Sequence, residues 1–306
     1  LELFPLSGIS NIKTIHCNEE GFFSSYKSDR YGFNNPDDVW EKEIDYAVIG
    51  DSFVHGDCVN RPNDISSVIR SLTQKNVVNL GYRGNGPLIE YATFKEYLNY
   101  NVKNIIWVYY ENDLDDLKKE LNNNILKRYL DDEKFSQNLL SKQKEINSLN
   151  KKLIKDLYKT EVGILKQHKK NMKMRNKILK FLRFKNLKDF LVSNLITQDK
   201  NGDDFPYDEF KKILNTVNQK AQNSNANFYL VYMPSKHNYL RKKSSKQYDK
   251  MISIIKGLDI ILIDLHNDFF KTMQKPLKFY NFGEGSHLNV DGYKQVSKFI
   301  VKSISK

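Results

Sequence analysis

Residues 46–57 read YAVIGDSFVHGD. An apolar run ends abruptly in Gly50-Asp51-Ser52. A short apolar segment bounded by glycine predicts a buried strand over 45–50. A serine at the C-terminal end of a buried strand stands where open α/β sheets receive their ligands. If a helix follows, the free N–H groups of its first turn favour an anion beside that serine. The same triplet also occurs in ordinary turns and helix caps, and Val54 departs from the G-x-S-x-G elbow. Whether Ser52 is a nucleophile or a turn residue therefore depends on what the rest of the chain brings to it.

On either side of this stretch, strand and helix patterns alternate. NDISSVIRSLTQ (63–74) carries Ile65, Val68, Ile69 and Leu72 at helical spacing, and NVVNLGYRGNGP (76–87) is a short strand running into a glycine-rich loop. LIEYATFKEYLNY (88–100) is helical, KNIIWVYYEND (103–113) is a buried strand, and a further helix lies around 208–222. The strand–loop pattern resumes at LVYMPSKHN (230–238) and LDIILIDL (258–265), and VDGYKQVSKFIVKSI (290–304) is an amphipathic closing helix. This alternation predicts one α/β domain with a mainly parallel sheet covered by helices on both faces, a three-layer α/β/α fold.

Two segments break the pattern. Residues 1–44 show weak periodicity and a turn-rich stretch, SDRYGFNNPDD (28–38), which predicts an extended arm packed on the domain. Residues 114–205 are rich in Lys, Leu and Asn, which predicts a helical insertion. Within it Leu179, Leu182, Leu187, Phe190, Leu191 and Leu195 fall on one helical face between basic residues. Such a face packs on its own domain or lies on a membrane surface.

The chain has 306 residues, 40 % hydrophobic and 28 % charged, enough for a core and unlike a disordered polymer. Its net charge of +12 suits an anionic partner such as an acidic polysaccharide, a lipid headgroup or nucleic acid, and equally a solvated surface. No zinc finger, RNA-recognition block or compact basic helix supports nucleic acid, which is not expected as a partner. No apolar run is long enough to span a bilayer. The sequence starts at Leu1, so a signal peptide or membrane anchor ahead of it is an expectation. Cys17 and Cys58 lack the second pair of a zinc framework. They are either two reduced buried thiols or one disulfide in an oxidising compartment.

A serine nucleophile needs a base, an orienting acid and donors for the oxyanion. Of six histidines, His287 lies in GEGSHLNVDGY, a loop before the last helix. Glu284 stands three residues earlier, at a spacing from which its carboxylate reaches the imidazole Nδ1. Gly84 offers an unobstructed backbone N–H, and Asn112 a side-chain amide at a strand end. Each has an ordinary explanation as a loop histidine, a turn glycine or a helix cap.

Taken in order, these residues resemble the blocks of the SGNH hydrolase superfamily, the GDSL-like lipases and acylhydrolases. Gly50-Asp51-Ser52 matches the nucleophile block. NLGYRG matches the second block, with Asn79 and Gly84. Tyr110-Glu111-Asn112-Asp113 matches G-x-N-D except at its first position. Glu284-Gly285-Ser286-His287 matches D-x-x-H with Glu for Asp. The resemblance covers 45–113 and 225–304 and excludes the insertion. It implies a serine esterase or O-acyltransferase needing no metal or organic cofactor. Ser52 would be the nucleophile, His287 the base and Glu284 the orienting acid, with Ser52, Gly84 and Asn112 around the oxyanion. SDRYGFNNP and YYENDLDDL are further similar to bacterial members associated with envelope polysaccharide. That implies acetylated glycan substrates, a periplasmic or other extracytoplasmic location, an N-terminal membrane anchor, and a place for a Cys17–Cys58 disulfide. The competing expectation is a non-catalytic glycan-binding or polysaccharide-assembly protein on the same fold, because fold does not fix function.

Overall fold

A computed structural model describes residues 3–19, 21–98, 100–159, 205–241, 246–281 and 287–305. Two antiparallel strands, β1 (Lys13–Cys17) and β2 (Ser24–Lys27), pair only with each other among the described residues. The main sheet holds β3 (Tyr46–Gly50), β4 (Val77–Asn79), β5 (Asn104–Tyr110), β6 (Asn227–Met233) and β7 (Ile261–Asp264). Its order is β4-β3-β5-β6-β7 and every pairing is parallel.

The residues of these strands explain the layering. Side chains alternate across a strand, and both faces here are apolar. Ala47, Ile49, Ile105, Trp107 and Leu230 join one core cluster, whereas Val48, Ile106, Val108 and Val231 join the other. The first face is covered by α3 (Pro87–Tyr97) and the helices Tyr207–Asn223 and Lys246–Gly257. The second is covered by α2 (Ile65–Thr73) and the C-terminal helix Val290–Ile304. The result is the three-layer α/β/α arrangement expected from the sequence. Because β4 lies on one side of β3 and β5 on the other, the chain reverses its direction of winding at β3. The C-terminal end of β3, just ahead of Ser52, is therefore the sheet's switch point, the position at which open α/β sheets receive their ligands.

The N-terminal 44 residues are more structured than their weak periodicity indicated. Besides the hairpin they hold a short 3₁₀ helix, Asp37–Glu41, and their polar groups replace missing backbone partners. Asn35 bonds the carbonyl and the N–H of Asn79 at 2.9 Å each, and Asn34 Nδ2 donates to the His55 carbonyl at 2.8 Å. Side-chain amides pairing with a strand end leave no apolar alternation to read.

The segment read from composition as an insertion spans two units. The chain divides into a unit of residues 1–147 with 205–306 and a unit of residues 148–204. The first unit keeps α4 (Asp113–Glu120) and α5 (Asn124–Asp131), because Leu114, Leu117, Leu126, Tyr129, Leu139 and Ile146 are all buried in its core. Of the second unit, residues 148–159 are described and helical. The basic amphipathic stretch from Leu179 to Leu195 lies outside the described residues. Among the described residues no helix is long and apolar enough to cross a membrane.

Candidate active site

At the end of β3 the chain turns into α1 (Ser52–His55), a single helical turn. Asp51 caps it by accepting from the Phe53 N–H at 2.9 Å. The loop after β4 packs so closely behind this turn that a Cβ on Gly81 would lie 2.4 Å from the His55 nitrogen. Ser52 is thus fixed on a short, clamped turn, 8 % exposed, in the first-turn position whose N–H has no intrahelical acceptor.

The C-terminal helix is set just as firmly. Asn289 caps it through the Gly292 N–H at 2.9 Å, and its own side-chain amide donates to the Lys278 carbonyl at 2.7 Å. Gly292 permits the approach, since a Cβ there would meet the Phe279 carbonyl oxygen at 2.2 Å. His287, two residues ahead of that cap, is held by the Asn281 N–H donating to its carbonyl at 3.0 Å.

These two anchors bring the sequence-predicted pair together. Ser52 Oγ lies 2.8 Å from His287 Nε2 and 3.3 Å from Asp51 Oδ2. On the far side of the ring, His287 Nδ1 donates to Glu19 Oε1 at 2.8 Å, and the His287 N–H donates to Glu19 Oε2 at 3.1 Å. Asn281 Nδ2 reaches the same carboxylate at 3.4 Å. A carboxylate on Nδ1 fixes the tautomer in which Nε2 is free to take the serine proton. Burial works against the Glu19 carboxylate, but the bond and charge of His287 outweigh it and hold it at about 2. Burial likewise disfavours imidazolium, yet the bond to Glu19 and the charges of Asp57, Glu19 and Asp51 raise His287 above its ordinary 6.5. Burial pushes Asp51 up to about 6.

Glu19 was not singled out in the sequence. It sits in the turn between β1 and β2, in chain order before the serine rather than between serine and histidine. One signal for it existed. Cys17 and Cys58 form a disulfide, so the segment just before Glu19 is tied to the segment just after Ser52. Glu284, read as the orienting acid from its spacing, lies outside the described residues.

The candidate oxyanion donors are less gathered. Gly84 is exposed in the second-block loop, with a φ of +77° and open space where a side chain would stand. Asn112 precedes α4, and its side-chain amide donates to Asp116 Oδ2 at 2.9 Å. Neither is a hydrogen-bond partner of Ser52 or His287 among the described residues. Tyr110, where the family block has glycine, packs its ring 4.5 Å from Phe53, whose own ring lies 5.2 Å from His287.

A second buried network lies against the first. The Asp57 carboxylate, with no exposed surface, accepts from His16 Nδ1 at 3.0 Å, His55 Nδ1 at 2.9 Å and Arg83 Nε at 2.5 Å. Its Oδ2 is 3.8 Å from His287 Nε2. Burial opposes its ionisation, but the bonds from His16 and His55 hold it well below the usual carboxylate range. Two groups come within metal-ligand range among the described residues, Cys17/Glu19/Cys58/His287 and His16/His55/Asp57. In the first the thiols are joined to each other. In the second the carboxylate already carries the Arg83 cation, which disfavours a metal ion beside it.

No protein-family model and no curated protein matches the chain in sequence. Solved structures to which it is similar include a lipolytic protein of the G-D-S-L family from Desulfitobacterium hafniense DCB-2, at 14 % identity and a TM-score of 0.46 over 85 % of this chain and 98 % of that one. A lipase/acylhydrolase from Enterococcus faecalis matches at 11 % identity and 0.46 over 85 % and 95 %. The acetylxylan esterase Axe2 from Geobacillus stearothermophilus matches at 12 % and 0.45 over 87 % and 97 %. Their descriptions name the kind of protein that the sequence blocks resemble. Identities this low and TM-scores below 0.5 carry no chemistry from those proteins to this chain.

Proposed function

We propose that this chain is a serine-dependent ester hydrolase or O-acyltransferase of the SGNH type. The observation that supports it is the continuous chain Ser52 Oγ–His287 Nε2 and His287 Nδ1–Glu19 Oε1, each link 2.8 Å long. Nucleophile, base and orienting acid are thereby in hydrogen-bond reach of one another.

In this reading Ser52 Oγ attacks the ester carbonyl carbon as its proton passes to His287 Nε2. The carbonyl π electrons move onto oxygen, and the resulting oxyanion is met by the N–H of Ser52, with the Gly84 N–H and the Asn112 amide as the other proposed donors. For Asn112 to serve, its amide must leave Asp116. Collapse of the intermediate breaks the bond to the alkoxide, which takes the proton back from Nε2 and leaves acyl-Ser52. Water, or a sugar hydroxyl in a transferase, then gives its proton to Nε2 and attacks the acyl carbon. The second collapse returns the proton to Ser52 Oγ. Glu19 orients the ring and offsets the imidazolium charge, the role that the sequence resemblance gave to Glu284.

Acetyl esters of an envelope or extracellular glycan are the proposed substrates, from the sequence resemblance and from the +12 charge, which suits acidic chains. The Cys17–Cys58 disulfide supports an oxidising, extracytoplasmic setting. The engagement of Asn112 with Asp116 favours a second reading, a glycan-binding protein without turnover. Hydrolysis of p-nitrophenyl acetate and release of acetate from acetylated polysaccharides separate the two. Turnover lost in Ser52→Ala with a nearly unchanged melting temperature supports the esterase. Glycan binding with no turnover in the wild type overturns it.

A further inference from the structure

The acid of the triad rides on a two-stranded hairpin. Among the described residues β1 and β2 pair only with each other, and a lone two-stranded hairpin is marginal by itself. Glu19 follows β1 by two residues, and among the described residues its carboxylate accepts hydrogen bonds from His287 and Asn281. Non-covalent contacts hold the rest of the hairpin. His16 bonds Asp57, Arg83 Nη2 donates to the His16 carbonyl at 2.6 Å, and Arg61 Nη2 donates to the Lys27 carbonyl at 3.0 Å. The covalent tie lies at the residue where β1 ends. Cys17 is bonded to Cys58, both sulfurs are buried, and Cys58 Sγ lies 3.6 Å from His287 Nδ1, the atom that Glu19 must reach. One sulfur thus bounds the slot that the Glu19 carboxylate enters, and the other holds the strand that delivers it.

We propose that the Cys17–Cys58 disulfide is the positioning element that seats Glu19 on His287, so that the triad is assembled only in the oxidised protein. Scission by a dithiol proceeds by two exchanges. A thiolate attacks one protein sulfur and displaces the other as thiolate. The reagent's second thiolate then closes on the mixed disulfide, leaving two protein thiols and one oxidised reagent. Two electrons pass from the dithiol to the cystine. The turn bearing Glu19 then keeps only hydrogen bonds and ring contacts, and the carboxylate leaves Nδ1. The catalytic consequence rests on the esterase reading, whereas the placement of Glu19 does not.

The test therefore reads the ring as well as the rate. The protonation of His287 is followed by NMR in the oxidised protein, the dithiol-reduced protein and the Cys17→Ser/Cys58→Ser variant, each with Glu19 and with Glu19→Gln. Circular dichroism confirms that each is folded. The expected result is a lower His287 pKa on loss of the disulfide when Glu19 is present and no further lowering in Glu19→Gln. Esterase rates should fall in the same pattern, at least tenfold with Glu19 and less than twofold without it, and should return on reoxidation. An unchanged His287 titration in the folded Cys17→Ser/Cys58→Ser variant overturns the proposal. An oxidised wild type that shows the titration pattern but no esterase activity overturns the functional reading alone.

Discussion

Glu19 meets His287 across 268 positions of sequence, accepting from both the ring Nδ1 and the main-chain N–H of the same residue. A carboxylate gripped by two donors of one residue fixes the ring in rotation as well as in tautomer. Glu19→Gln keeps the shape and removes the charge, and its amide presents a donor as readily as an acceptor. We expect kcat for ester hydrolysis to fall roughly 10²- to 10⁴-fold with a much smaller change in KM. Loss of less than threefold would show that another group orients His287.

The same contact makes activity and stability respond oppositely to pH. His287 acts as a base only when neutral, and its pKa is raised above 6.5, so the acid limb of kcat/KM lies above that value. Stability runs the other way. The raised pKa of His287 contributes stability fully below 6.5, which is lost as pH rises through the folded value. The lowered pKa of Glu19 contributes above 4.5 and is lost as pH falls towards about 2. The melting-temperature difference between wild type and Glu19→Gln should be greatest between pH 4.5 and 6.5, where turnover is suppressed. A difference that grows with turnover at higher pH would contradict this assignment.

Asp57, 3.8 Å from His287 Nε2, places a second negative charge beside that ring. Asp57→Asn should move the acid limb of kcat/KM to lower pH, because removing that charge lowers the pKa of His287. It should also lower stability by roughly 3 kcal/mol, since His16, His55 and Arg83 are left with one neutral amide oxygen in place of a buried carboxylate. A merely structural Asp57 would reduce the rate and leave the limb in place.

Gly81 tests the clamp behind Ser52. An alanine Cβ would lie 2.4 Å from the His55 nitrogen and 2.6 Å from Val54 Cβ, so α1 or the loop must move. Gly81→Ala should cost about 1–3 kcal/mol in chemical denaturation and lower the rate of Ser52 acylation together with it. Normal stability and rate would mean that the loop yields without disturbing Ser52.

The legible parts of this molecule are those written locally. Buried strands such as 46–50 and 104–110 announced themselves as apolar runs, and Gly50-Asp51-Ser52 placed the serine at the sheet's switch point. His287 was legible because a glycine-rich loop and a capped helix frame it. Glu19 was not, because its partner is distant in the chain and its hairpin alternates polar residues with exposed Ile15. The cysteine pair held the connection, but in sequence two thiols and one disulfide read alike. Composition read residues 114–131 as Lys- and Asn-rich because those residues lie on the outer faces of α4 and α5, and it missed the buried stripe from Leu114 to Tyr129.

The most direct measurement is the site of labelling by a fluorophosphonate probe, mapped by mass spectrometry in the wild type, Ser52→Ala, His287→Ala and Glu19→Gln. We expect a single phosphonylated residue, Ser52, with labelling abolished in Ser52→Ala and slowed in the other two. Labelling at another residue, or a labelling rate at Ser52 indifferent to His287, would contradict it.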